Sequence, residues 1–218
     1  MAWGRRDIVI AKVNELMERM NQRPGEFIRD YSDQKRPALR GFKHRTFTEE
    51  DVHHLVLNLS RVLADFGDFE PFWRSVYEQS KAQNRELIAT FHERFFEYHT
   101  GPHRTKKHIA SSEKGSSCKR LYLYLRWTVR QNSIVDPGIY TFMPASELMI
   151  PLDVHVARHA RRLGLLGRKQ NDWKAVEELT RKLRILDPLD PAKYDYALFG
   201  LGIADVEVPE EMIITRRV

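Results

Sequence analysis

Apolar side chains recur at helical spacing along most of this chain. Between about Arg6 and Met20, the positions Ile8, Ala11, Leu16 and Met20 fall on one helical face, and Pro24-Gly25 interrupts the pattern before a short helix from about Gly25 to Tyr31. Thr48 followed three residues later by Asp51 carries a capping signal, because a helix start leaves backbone N–H groups that such side chains accept. Val52, Leu55, Val56, Leu59, Val62 and Leu63 then continue as an apolar stripe to about Phe66. Beside that stripe, His53 and His54 read as surface residues. Pro71 is expected to open a further helix through Phe72, Val76 and Tyr77, and Asn84 to about Tyr98 another through Leu87, Ile88, Phe91, Phe95 and Phe96. The aromatics of 91 to 98 read as core rather than as a base-stacking platform. No alternating run is long enough for a sheet.

From His99 to Ser117 the helical pattern breaks at Gly101, Pro102, two Ser-Ser pairs and Gly115, which marks a linker or functional loop rich in Lys and His. His99, His103 and His108 have spacings compatible with a metal, but no carboxylate or cysteine pattern accompanies them. A solvated or phosphate-contacting loop is expected there, and no metal ligands are assigned. Lys119 opens an amphipathic helix directly after the Gly/Ser turn. Asp136-Pro137-Gly138 and Pro144 mark turns, and Pro151 suits the first position of a helix from about Leu152 to Leu163 that Gly164 and Gly167 stop. Asp172 is placed to cap a helix to about Ile185, and Ala192 to Leu201 form the last one. The expected fold is therefore all-α, a two-lobed helical bundle. It is organised as one unit over 1–218 or as lobes of about 1–100 and 115–218 joined by the basic loop 99–117.

Composition narrows the function classes. The 218 residues suffice for a sizeable core, and no stretch approaches the ~18 consecutive apolar residues of a membrane span, so a soluble protein with no membrane partner is expected. The one cysteine, Cys118, excludes a disulfide framework and a cysteine zinc site, which fits a cytoplasmic location. A net charge of +6 and a pI near 9.4 fit a polyanionic partner or only a soluble basic surface. Clustering favours the former: Arg158, Arg161 and Arg162 follow Asp153, and Arg120, Arg126 and Arg130 share the helix of Lys119. Residues Asp33 to Arg45 form a second basic stretch, read as a solvated loop or a phosphate contact. Neither a Gly-rich nucleotide cradle nor a nucleophile elbow is found, and no cofactor is expected.

Two pairs of residues carry the candidate chemistry. A neutral lysine amine beside a carboxylate in a mostly apolar setting makes a nucleophile with an electrostatic helper, and Lys119 and Asp153 are of those types. Asp195 and Phe199, four apart on a helix, project an acceptor and an aromatic surface from one face. Such a pair suits a planar base, read along its edge and stacked on its face. Spacing alone favours an exposed helical carboxylate and a core phenylalanine, because apolar positions at helical spacing are the ordinary signature of a core.

The runs around these residues resemble a known superfamily. Gly115-Ser116-Ser117-Cys118-Lys119 before an apolar helix, with Pro151-Leu152-Asp153-Val154-His155-Val156 before a basic one, looks like the helix-hairpin-helix DNA glycosylases, which include endonuclease III and the 8-oxoguanine DNA glycosylases. The 34-residue separation from Lys119 to Asp153 is more similar to the archaeal AGOG branch. Closer still, Cys118-Lys119-Arg120, Leu125-Arg126-Trp127 and Lys193-Tyr194-Asp195-Tyr196-Ala197-Leu198-Phe199-Gly200 resemble a bacterial family of uncharacterised proteins related to that superfamily.

By this resemblance Lys119 is the nucleophile and Asp153 its catalytic partner. Pro151 borders the base pocket, Asp195 stands where related enzymes read the base, and Phe199 where they stack on it. Gly115, Ser117, Arg120, His155 and Arg158 fall where DNA phosphates are held. Ser117 replaces the usual second glycine of the hairpin, and the related family begins before Ala2-Trp3-Gly4-Arg5, so an N-terminal segment is expected to be missing. The implied activity is a base-excision DNA glycosylase with AP-lyase activity on 8-oxoguanine, working through a lysine Schiff base. Its partner is double-stranded DNA containing a damaged base, with no obligate protein partner, and its place in the cell is at the nucleoid. A non-catalytic DNA-binding protein of the same fold, and a helical protein unconnected with nucleic acid, are the alternatives.

Overall fold

The computed structural model describes residues 2–97 and 99–203, and the protein is an all-α helical bundle. It divides into two compact units, Met1–Ile109 and Ala110–Val218, a boundary inside the 99–117 segment. Among the described residues no helix is long and apolar enough to cross a membrane.

In the first unit, α1 (Arg6–Arg19) and α2 (Pro24–Arg29) precede a two-residue antiparallel pair, β1 (Lys43–His44) and β2 (Phe47–Thr48). Pro24 is the first residue of α2 rather than part of a break, since its fixed φ and missing N–H suit a first turn. α3 (Glu49–Phe66) starts on a full capping box: Asp51 Oδ2 accepts from Thr48 N and from Thr48 Oγ1, both at 2.9 Å. α4 (Phe69–Ala82) begins two residues before Pro71, because Asp68 caps it. α5 (Leu87–Phe95) begins three residues after Asn84, because the Glu86 carboxylate accepts Ile88 N at 3.0 Å and Ala89 N at 2.8 Å. Tyr98 lies outside the described residues.

Two groups of side chains make this unit's interior. Met20, Phe27, Leu39, Phe42, Phe47, Val52 and Val56 pack together. Trp73 and Phe91 stack at 4.2 Å between centroids, with Phe72 and Phe95 alongside, so the aromatics of α5 are core. His53 is not a surface residue: it is 3% exposed, and its Nδ1 lies 2.8 Å from the Tyr31 hydroxyl. Burial lowers its pKa, and that of His54. The histidine-rich loop is also less solvated than expected. His99 meets Asn58 and the Pro102 carbonyl, while in the 3-10 turn His103–His108 the His108 side chain faces Asp51, with Nε2 at 3.4 Å from Oδ2. Arg104 and Thr105 bind Asp51 as well, at 2.8 and 2.9 Å.

In the second unit α6 (Lys119–Val129) comes first, and α7 (Val154–Arg162), α8 (Trp173–Leu186) and α9 (Tyr194–Ile203) then build a core of Ile150, Leu152, Val156, Ala160, Val176, Leu179, Leu183 and Leu198. Pro151 does not open α7. The helix starts at Val154, because Asp153 accepts the free N–H groups of the first turn and so becomes the N-cap. α9 comes so close to α7 that a Cβ on Gly202 would stand 2.9 Å from His155 Cβ. After α6 the chain doubles back, with Gly138 N donating to the Trp127 carbonyl and Tyr140 N to that of Thr128. Gly138 makes that return possible, since its φ is +57° and a Cβ would meet the Arg130 carbonyl at 2.5 Å.

Candidate functional site

Lys119 reaches its position through a tight turn. The 3-10 turn Ser112–Lys114 leads to Gly115 at φ +77°, whose carbonyl accepts Trp173 N at 3.1 Å, and Cys118 takes φ +50° with its N–H on Ser116 Oγ at 3.2 Å. Ser117 Oγ points at the Leu152 carbonyl, 3.5 Å away, one residue before Asp153. The turn before α6 is thereby tied to the turn before α7, and the two helix starts face each other.

Lys119 Nζ lies 3.7 Å from Asp153 Oδ2, the side chains being 41% and 14% exposed. The two carboxylate oxygens have different tasks. Oδ1 accepts His155 N at 2.9 Å and Val156 N at 2.8 Å, which fixes the group and leaves Oδ2 for the lysine. The pair stands in a cavity of about 320 Å³ lined by Lys119, Leu123, Arg126, Trp127, Pro151, Asp153, Asp195, Tyr196 and Phe199. Its size suits a small planar ligand, and its walls set the apolar surfaces of Leu123, Trp127, Pro151 and Phe199 beside the charged groups of Lys119, Arg126, Asp153 and Asp195. Phe199 is 37% exposed, not a core residue, and sets its ring edge-on to His155 at 5.9 Å.

Below the pair lies a buried ionic network. Arg126 pairs with Asp195, approaches Asp136 at 3.6 Å and sits 4.1 Å over the Tyr196 ring. Arg130 pairs with Asp136 and, at 2.9 Å, with Asp190, while the Tyr196 hydroxyl donates to Asp136 Oδ1 at 2.6 Å. Asp195 is 6% exposed, so the exposed-carboxylate alternative for it is overturned. Burial pushes its pKa up to about 6; Arg126 and Lys119 pull it down, and the like charges of Asp153 and Asp136 push it up. Tyr196 rises to about 12, first through burial and then through its bond to Asp136.

A family of proteins described as of unknown function (DUF2400) matches residues 1–204. The chain belongs to the DUF2400 family. No curated protein and no solved structure matches it at a significant level.

In this DUF2400 chain Lys119, Pro151, Asp153, Asp195 and Phe199 come together around one cavity, while the five residues assigned to phosphates divide. Gly115 and Arg158 are exposed, Ser117 is engaged with Leu152, and Arg120 is half-buried, which lowers its pKa. His155 keeps its Nδ1 buried without a hydrogen-bond partner. Arg126 and Arg130 are committed inside the unit, and Arg161 binds the Arg168 and Lys169 carbonyls, so fewer cations are free for a partner than the clusters suggested. Tyr196, Asp136, Asp190, Trp127 and Leu123 are the site residues that periodicity missed. No sequence signal marks the buried network: Arg126 and Arg130, four residues apart, read as cations available to a partner.

Proposed function

We propose that this DUF2400 protein is a DNA glycosylase with AP-lyase activity that removes 8-oxoguanine from duplex DNA. The observation that carries this reading is the Lys119–Asp153 pair, 3.7 Å apart at two facing helix starts, in a cavity with Phe199, Trp127 and Pro151 on its walls. The turn Gly115 to Cys118 serves in this reading as the hairpin that meets the DNA backbone.

A glycosidic bond inside a duplex is inaccessible, so the damaged nucleotide is flipped out at a cost on the order of a few kcal/mol, offset by phosphate contacts from cations such as Arg158. Phe199 supplies a face for the flipped base to stack on. The neutral Lys119 amine then attacks the anomeric carbon; the C1′–Nζ bond forms as the bond to the base breaks, and the electron pair leaves with the base. Asp153 Oδ2 stabilises the positive charge that develops on the sugar. Opening of the sugar ring gives the imine, and loss of the C2′ proton expels the 3′ phosphate by β-elimination. Lys119 thus acts as nucleophile and electron sink, and no cofactor enters any step.

Borohydride reduces such an imine to a stable amine. Wild-type protein mixed with a duplex carrying 8-oxoguanine is expected to yield a covalent complex that survives denaturation, and Lys119→Ala to yield none. A complex formed equally by Lys119→Ala would remove the lysine from its role. Salt-sensitive DNA binding with no base release from any lesion would leave the non-catalytic alternative standing instead.

A further inference from the structure

The proposed reaction leaves one proton unassigned. The base departs with an electron pair and needs a proton, while the attacking Lys119 nitrogen carries one too many. Asp153 Oδ1 is held by two backbone N–H groups and its Oδ2 stands 3.7 Å from the lysine nitrogen, where it stabilises positive charge, which leaves the proton for the base to a second group. Asp195 lines the same cavity from the first turn of α9. Its Oδ2 is engaged by Arg126, and none of the described hydrogen bonds takes up Oδ1.

We propose that Asp195 is the proton carrier of this site: as a carboxylic acid it protonates the departing base, and as a carboxylate it then takes the surplus proton from Nζ of Lys119. This rests on the glycosylase reading above. The step balances, since the proton lost by the lysine nitrogen is the one gained by the base, and Asp195 ends as it began. Arg126 stabilises the carboxylate between the two transfers.

The charged neighbours make this group suitable. From α6 Arg126 and Lys119 face it, from the start of α7 Asp153, and from the turn after α6 Asp136. Arg126 is shared, since its Nε also lies 3.6 Å from Asp136, so it does not neutralise Asp195 fully. Burial outweighs it and the carboxyl titrates at about 6, near the pH at which an acid-base group works best.

The test separates base release from imine formation and strand cleavage. Single-turnover base release is measured on a duplex carrying 8-oxoguanine, and borohydride trapping on the same duplex carrying a ready-made abasic site, which needs no base protonated. In wild type the ratio of the two rates is expected to fall about tenfold per pH unit above about 6. Asp195→Asn should lower that ratio about 100-fold at low pH and abolish its pH dependence. Asp195→Glu should restore part of the ratio together with the falling limb. An asparagine variant whose ratio stays within about threefold of wild type, or keeps the limb, overturns the proposal. If that variant fails to fold, wild type decides: a ratio flat from about pH 5 to 8 overturns it, and a falling one supports it. Absence of trapping on either duplex would instead overturn the glycosylase reading, and is told apart by that loss.

Discussion

Asp51 in the first unit and Asp195 in the second are both buried carboxylates paired with an arginine, and they are driven in opposite directions. Burial pushes both upward. For Asp51 that push is more than offset by hydrogen bonds from Thr48 N, Thr105 Oγ1 and Thr48 Oγ1 and by the neighbouring His108, so its pKa falls. Asp195 has Arg126, which Asp136 shares, as its hydrogen-bond donor, and burial with two like charges outweighs the pull of Arg126 and Lys119, so it rises to about 6. The two groups differ in the number of their donors, and more donors favour the ionised form against the upward push of burial. A carboxylate with several fixed donors is held in its ionised form, whereas a buried one with few donors is shifted toward its neutral form.

The largest effect expected from this contrast is on Asp51. Asp51→Ala removes the capping box of α3 and leaves Thr105, which is fully buried, without its acceptor, although Arg104 is exposed enough to turn to water. A loss of about 3 kcal/mol is expected, as a lower unfolding midpoint in urea with an unchanged slope. A loss under about 1 kcal/mol would show that Asp51 is as dispensable as an ordinary surface cap.

The same division governs how much of this was readable in the sequence. The capping box at Thr48 and Asp51 was legible because both partners lie three residues apart and the apolar stripe comes directly after. The Lys119–Asp153 pair was legible in residue type and spacing, but their 3.7 Å approach brings together two turns far apart in sequence, where Ser117 Oγ also nears the Leu152 carbonyl across 35 residues. The rest of Asp51's partners were hidden, since Arg104, Thr105 and His108 lie more than 50 residues away and read as a loop. The network under the pocket was hidden in the same way. Arg126 and Arg130 look like phosphate-binding cations on a helix until Asp136, Asp190 and Asp195 arrive from two other segments. Pro151 was misread because a proline and a capping aspartate two residues apart both announce a helix start, and the aspartate's two hydrogen bonds decide between them.

The next effect is a pH dependence of stability. Asp195 has a folded pKa raised from 3.8 to about 6, so the folded state holds its proton over a range where the unfolded chain has lost it. Its contribution is fully present below the unfolded value and is lost as pH rises through about 6. Asp51 runs the other way, contributing above its unfolded value and losing that as pH falls through its lowered one. Wild type compared with Asp195→Asn cancels all other groups. From about pH 4 to about pH 7 wild type is expected to lose about 2 kcal/mol relative to the variant. A difference that stays constant over that range would mean that Arg126 neutralises Asp195 after all.

The smallest effect tests the donor count directly. Thr105→Val keeps the shape of a fully buried side chain and deletes one of the hydroxyl donors to Asp51, while Thr48 and Arg104 stay in place. One lost hydrogen bond to a charged acceptor costs about 1–2 kcal/mol in urea unfolding at neutral pH. The loss should shrink as the pH is lowered, because the missing donor favours the carboxylate over the acid, and a protonated Asp51 has less need of it. If donors set the sign of these shifts, Asp51 in this variant moves upward toward the behaviour of Asp195. A Thr105→Val cost that is the same at low and neutral pH would assign the threonine to packing alone.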